Sequence, residues 1–204
     1  MVMAKDYIEN IEDAERRAVT HAVEYREEGE EKYFEGYGVL FNTPTDMGYF
    51  TEEVAPGAEI EVMQDDVRGL MNHGEDKVLG RTKSGTMTMT VDERGIKYKI
   101  LYNPNDPDHV SAREKVKRGD ISQSSFAFRV KDDKWEKRNG KEHRTILKFK
   151  RLIDMSLVTY AAYESTTVAM RSANRKSDDY KKDLAEMDKD SMKLDLERIK
   201  TKQK

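Results

Sequence analysis

Gly119-Asp120-Ile121-Ser122-Gln123-Ser124-Ser125-Phe126-Ala127-Phe128 sets a cluster of serines in a stretch that reads as a β-strand from Ile121 to Val130. Successive strand side chains point to opposite faces, so Phe126 and Phe128 share one face and Ser125 and Ala127 the other. The aromatics then anchor the strand in a core while Ser125 opens toward a cleft. On propensity alone Ser122 and Ser124 compete with it, because most strand serines are ordinary hydrogen-bonded hydroxyls.

Two further segments bear on that hydroxyl. Leu70-Met71-Asn72-His73-Gly74 lies upstream, and Leu152-Ile153-Asp154-Met155-Ser156-Leu157-Val158 lies downstream. A serine hydroxyl is a poor nucleophile at neutral pH and needs a base, a group to orient that base, and donors for the oxyanion. His73 follows an apolar run and precedes a glycine, a strand-end setting in which an imidazole faces a cleft. His21 stands in a charged segment, His109 on the first turn of a predicted helix, and His143 beside Lys141 and Glu142. Asp154 sits among apolar neighbours and must be paired or shift its pKa. Its partner is either a cation such as Arg151 or an imidazole that it orients. A metal reading of His73 with Glu75 and Asp76 lacks a second histidine at ligand spacing, so no metal or other cofactor is expected.

The rest of the chain bounds the answer. Its 204 residues allow one domain plus tails, with a core of ordinary size. The formal net charge of -3 gives no electrostatic case for nucleic acid. No apolar run approaches the roughly 20 residues that span a bilayer, so no membrane partner is expected. Met1-Val2-Met3-Ala4-Lys5-Asp6 has none of the apolar character of a secretory signal. With no cysteine there is no disulfide, thiol nucleophile or thiolate site, and the expected setting is a reducing cytoplasm.

Residues 1–31 are charged and weakly patterned, which reads as a mobile N-terminal arm, its boundary drawn at residues 1–16. Tyr33 to Phe41 reads as a strand ending at the turn Asn42-Thr43-Pro44. Thr86 to Val91 and Ile96 to Ile100 alternate around Asp92-Glu93-Arg94-Gly95, a hairpin. Asp106 caps a short helix with Pro107 in its first turn, apolar Val110, Ala112 and Val116, and a stop at Gly119. A second hairpin turns at Asn139-Gly140, after which Ile146, Phe149 and Leu152 to Tyr160 return to the core. Many strands and few helices predict an α+β, mainly β chain: a closed or nearly closed β-barrel decorated with a few helices. Residues 172–204 read as a charged, partly helical tail. Across 173–204 there is no Pro or Gly, and ten basic residues stand against eight acidic ones.

Taken in order, these blocks resemble the prohead (capsid maturation) proteases of tailed bacteriophages, which share the fold of herpesvirus assemblins. The resemblance is carried by Phe34 to Asn42, Phe50 to Ala58, Met71-Asn72-His73 ahead of Leu79-Gly80-Arg81-Thr82, Arg118 to Phe128, and Asp154 to Thr159. It covers roughly residues 17–171, the expected protease domain. It implies Ser125 as nucleophile, His73 as base and Asp154 as the acidic third member, where many relatives carry glutamate. Ala127 stands where a glycine is usual, and Ala161 where a proline is usual. The resemblance further implies a serine endopeptidase inside the assembling prohead, in the host cytoplasm. Its substrates would be scaffold or the scaffold-like arm of the major capsid protein, and the enzyme itself, with the tail as a self-cleavage segment. A homodimer follows only by analogy with assemblins. The alternative is a catalytically inactive adaptor on the same barrel.

Overall fold

The computed structural model describes residues 14–19 and 23–160. In chain order the strands before the helix are β1 (Glu15–Val19), β2 (Glu24–Glu28), β3 (Glu31–Leu40), β4 (Thr45–Asp46), β5 (Phe50–Val54), β6 (Arg68–Met71), β7 (Gly74–Arg81), β8 (Met87–Val91) and β9 (Gly95–Leu101). The helix α1 (Pro107–Lys117) follows, then β10 (Gln123–Arg138) and β11 (Lys141–Val158). The C-terminal segment expected as a tail, with Ala161, lies outside the described residues, as do residues 1–13 and His21.

Local chemistry accounts for the turns. Asn139 and Gly140 adopt φ 52° and 81°, the left-handed pair that a two-residue hairpin needs, and they join β10 to β11. Asp92 and Gly95 exchange backbone hydrogen bonds of 3.0 and 3.3 Å to close the β8–β9 hairpin. The Asp106 carboxylate accepts the Asp108 N–H at 2.9 Å and caps α1, and Gly119, at φ 80°, follows its C-terminal cap. The expected pieces around Ile146, Phe149 and Leu152 are one continuous strand, β11, because its partner β10 runs antiparallel beside it for nearly its whole length.

The strands form two sheets. One runs β1-β10-β11-β5-β4, with β6 on β11 and β7 on β6; the other runs β2-β3-β9-β8. The chain is mainly β with one helix among the described residues, as expected, but no sheet there closes into a barrel. Closure requires the last strand to pair with the first. Here β11 uses one edge for β10 and divides the other between two short parallel partners, β5 at Glu142–Ile146 and β6 at Asp154–Leu157. Alternation in a sequence announces a strand, not its neighbour.

The core face of β10 matches the parity argument. Phe126 and Phe128 are buried and stacked, centroids 4.8 Å apart, and Phe149 meets Phe128 edge-on at 5.2 Å. Burying one such ring is worth about 1.5–3 kcal/mol. The other sheet reaches the same strand through a hydrogen bond between Tyr98 and Ser124 hydroxyls, 2.7 Å. Gly36 leaves room for it, since a Cβ there would lie 2.9 Å from the Tyr98 hydroxyl oxygen.

Strand β1 comes from the segment read as weakly patterned. Glu15, Arg17 and Val19 point inward, and Arg17 binds Glu52 and Glu15, both of which also bind Arg144. Two of its three buried positions are charged, so no apolar period marks it. No helix among the described residues is long and apolar enough to cross a membrane.

Candidate active site

Antiparallel pairing of β10 with β11 sets Ser125 opposite Ser156 and Ala127 opposite Asp154. Cross-strand partners share a face, so these four residues lie together on the face opposite Phe126 and Phe128. A bulge lies just beyond them. Phe128 pairs with Leu152 rather than Ile153, leaving Ile153 as an extra residue. Without it, Leu152 and Asp154 would share a face by period two. With it, Leu152 enters the core beside Phe128, while Asp154 keeps the side of Ser125 through its pairing with Ala127.

His73 arrives from a third element. Asn72 and His73 form the two-residue connection between β6 and β7, with φ 52° and 56°. Both being left-handed suits a tight hairpin between twisted strands. Asparagine tolerates this conformation; for histidine it costs about 1–3 kcal/mol and must be held by surroundings. The Asn72 N–H donates to the Leu157 carbonyl at 2.9 Å, and the Asn72 Oδ1 accepts the Thr159 N–H at 2.8 Å. The turn is thereby fastened to the end of β11.

The three sequence-predicted residues meet. His73 Nδ1 lies 2.7 Å from Asp154 Oδ1, and His73 Nε2 lies 2.7 Å from Ser125 Oγ. With Nδ1 protonated to donate to the carboxylate, Nε2 is left to accept the serine hydroxyl. Ser125 is 2 % exposed and Asp154 4 %. The imidazole is somewhat more open, at 15 % of its side chain. Beside it lies a surface depression lined by Arg16, Arg68, Glu75, Val78, His73 and Asp154. Arg151 pairs across the ladder with Arg129 and is not the partner that Asp154 takes.

The competing residues have other duties. Ser124 is wholly buried on the Tyr98 side, and Ser122 is exposed, its carbonyl accepting the Val23 N–H at 3.2 Å. His109 is buried in α1, where burial pushes its imidazole below the usual range, and His143 sits 2.7 Å from Thr51 Oγ1. Glu75 and Asp76 are exposed, and no cluster of three or more His, Cys, Asp or Glu suits a metal among the described residues.

A hydroxyl, an imidazole and a carboxylate linked by two short hydrogen bonds can move a proton from the hydroxyl to the ring as the oxygen attacks a carbonyl. The model of the caudovirus prohead serine protease family matches residues 18–183, most of the chain. The chain belongs to that family. It is accordingly a serine endopeptidase of phage capsid maturation that acts within the assembling prohead, with capsid or scaffold proteins as substrates or partners. No curated protein and no solved structure matches it.

Sequence reasoning passed over two residues at this site. Ser156 donates to Asp154 Oδ1 at 2.6 Å, and Asn72 fastens the turn that carries His73. The signal for Ser156 was present in its period-two spacing from Asp154. That for Asn72 was the Asn-His pair between two strands, a left-handed turn in which asparagine is favoured.

Proposed function

We propose that Ser125 is the nucleophile, His73 its general base and Asp154 the residue that orients the imidazole. We further propose that the enzyme cuts scaffold or the scaffold-like arm of the major capsid protein, and itself. The observation that carries this reading is the pair of 2.7 Å hydrogen bonds joining the three side chains. In the first step Ser125 Oγ attacks the scissile carbonyl carbon while Nε2 takes the hydroxyl proton. Asp154 stabilises the imidazolium, which then protonates the leaving amine. Water repeats the sequence on the acyl-enzyme, and the serine is regenerated. Asp154 is one methylene shorter than the glutamate of many relatives, and its Oδ1 nevertheless lies 2.7 Å from His73 Nδ1.

The charged composition of segment 172–204 makes it the first place to seek self-cleavage. Intact-mass analysis of wild type and Ser125→Ala, each co-expressed with scaffold and capsid protein, tests the proposal. Wild type is expected to yield shortened products and Ser125→Ala none, a loss on the order of 10^6 in turnover by analogy with a benchmark serine protease. Identical masses in both samples would overturn it and favour the inactive adaptor.

A further inference from the structure

We propose that Ser156 is a positioning residue of this site, its hydroxyl pinning the Asp154 carboxylate and tempering the hold of that carboxylate on His73. The proposal rests on the reading of Ser125, His73 and Asp154 given above.

Ser156 follows Asp154 by two residues on the same face of β11, and its partner across the ladder is Ser125. Its Oγ lies 2.6 Å from Asp154 Oδ1 and 3.2 Å from His73 Nδ1. The residue is 0 % exposed, so its hydroxyl has no water to turn to and its proton must go to a protein acceptor. Asp154 Oδ1 is that acceptor, and it is the same oxygen that His73 Nδ1 approaches at 2.7 Å.

Two donors on one oxygen have two consequences. Rotation of the carboxylate would break both bonds at once, so Ser156 holds Asp154 in the orientation that the imidazole requires. Ser156 also stabilises the carboxylate charge that would otherwise be directed wholly at the ring. With the hydroxyl removed, that oxygen answers to the imidazole alone. The protonated ring is then better stabilised, and the base captures solvent protons at higher pH. The other charged groups facing this pair are Arg16 from β1, Arg68 from β6 and Glu75 from β7. They are common to wild type and variants, so they cancel in the comparison.

The test is steady-state cleavage of the capsid-protein fragment that wild type cuts in the co-expression assay, followed across pH. Ser156→Ala is expected to fold and to lower kcat on the order of 10–100-fold. Its KM should stay within about twofold of wild type, and the acid limb of its rate profile should move to higher pH. Ser156→Thr, which returns a hydroxyl, should recover both kcat and the limb. A folded Ser156→Ala protein with wild-type kcat and limb would overturn the proposal. So would a loss confined to KM, or a fall in rate with the acid limb unmoved. Ser125→Ala run in parallel separates the two readings. If it still cleaves, the nucleophile assignment falls; if it is silent while Ser156→Ala equals wild type, only the role of Ser156 falls.

Discussion

Thr159 and Asn72 are joined by two hydrogen bonds, Thr159 N–H to Asn72 Oδ1 at 2.8 Å and Asn72 Nδ2–H to Thr159 Oγ1 at 3.3 Å. They fasten the His73 turn to the residue that follows β11, the strand supplying Asp154 and Ser156. Asn72→Ala should lose both bonds and place a Cβ in a left-handed conformation without asparagine's compensation, costing about 1–2 kcal/mol. Asn72→Gly keeps the conformation and loses only the bonds. Urea unfolding should show the glycine variant as the more stable, while both variants lose kcat. Full activity in Asn72→Gly would show that the turn needs only its backbone shape.

Ser124 and Ser125 are neighbours with opposite roles. Burial pushes the Tyr98 hydroxyl well above the usual phenol range, so it stays protonated beside Ser124. Ser124→Ala leaves a buried hydroxyl short of a partner and should cost about 1–3 kcal/mol of stability. Cleavage by the folded fraction should persist, in contrast to Ser125→Ala. Chemical denaturation and the intact-mass assay, run on both variants, measure the two effects.

Elements governed by short-range chemistry were legible in the sequence: the Asn139-Gly140 and Asp92–Gly95 turns, the Asp106 cap, and the two faces of β10. His73, Ser125 and Asp154 could be singled out as candidates from their surroundings, but Ser122, Ser124 and a cation partner for Asp154 stayed open until the resemblance pointed to these three. Pairing was not. That β11 would share one edge between β5 and β6, leaving the sheets open, depends on contacts distant in sequence. The Ile153 bulge was hidden because Leu152, Ile153 and Met155 look alike as an apolar run. Strand β1 was hidden for the opposite reason, since two of its three inward side chains, Glu15 and Arg17, are charged.

That charged interior of β1 has its own consequence. Arg144 is 1 % exposed and binds Glu15, Glu52 and Asp133 at 2.7–2.9 Å. Burial works against its charge, but Glu52 and Glu15 outweigh burial and hold the guanidinium above its usual range. Arg144→Met keeps much of the volume and takes from Glu15, Glu52 and Asp133 the guanidinium they share, while Arg17 still binds Glu15 and Glu52. Removing one partner from a buried ionic group costs about 3–5 kcal/mol, which denaturant titration should detect. Because Ala18 of β1 pairs with Ser125 of β10, loosening β1 should also depress cleavage. A stable, fully active Arg144→Met protein would show that β1 is held by its backbone ladder alone.

The Tyr37–Asp92 pair makes a pH-dependent contribution to the second sheet. The Tyr37 hydroxyl donates to Asp92 Oδ2 at 2.5 Å, and the Arg94 and Gly95 N–H groups donate to Oδ1 at 2.8 and 3.1 Å. The Tyr37 bond foremost, against a smaller opposing effect of burial and with help from the two backbone bonds, holds the Asp92 carboxyl below its ordinary value of 3.8. A carboxyl whose folded pKa is depressed binds its proton more readily when unfolded. Its contribution is therefore complete above the ordinary value and disappears as pH falls through the lower, folded one. Tyr37→Phe should lower Tm near neutral pH, and the gap from wild type should narrow once the pH drops below about 4. Melting curves from pH 7 to pH 2 would register this, and a gap that stays constant down to pH 2 would show that the hydroxyl acts through packing rather than through the carboxylate charge.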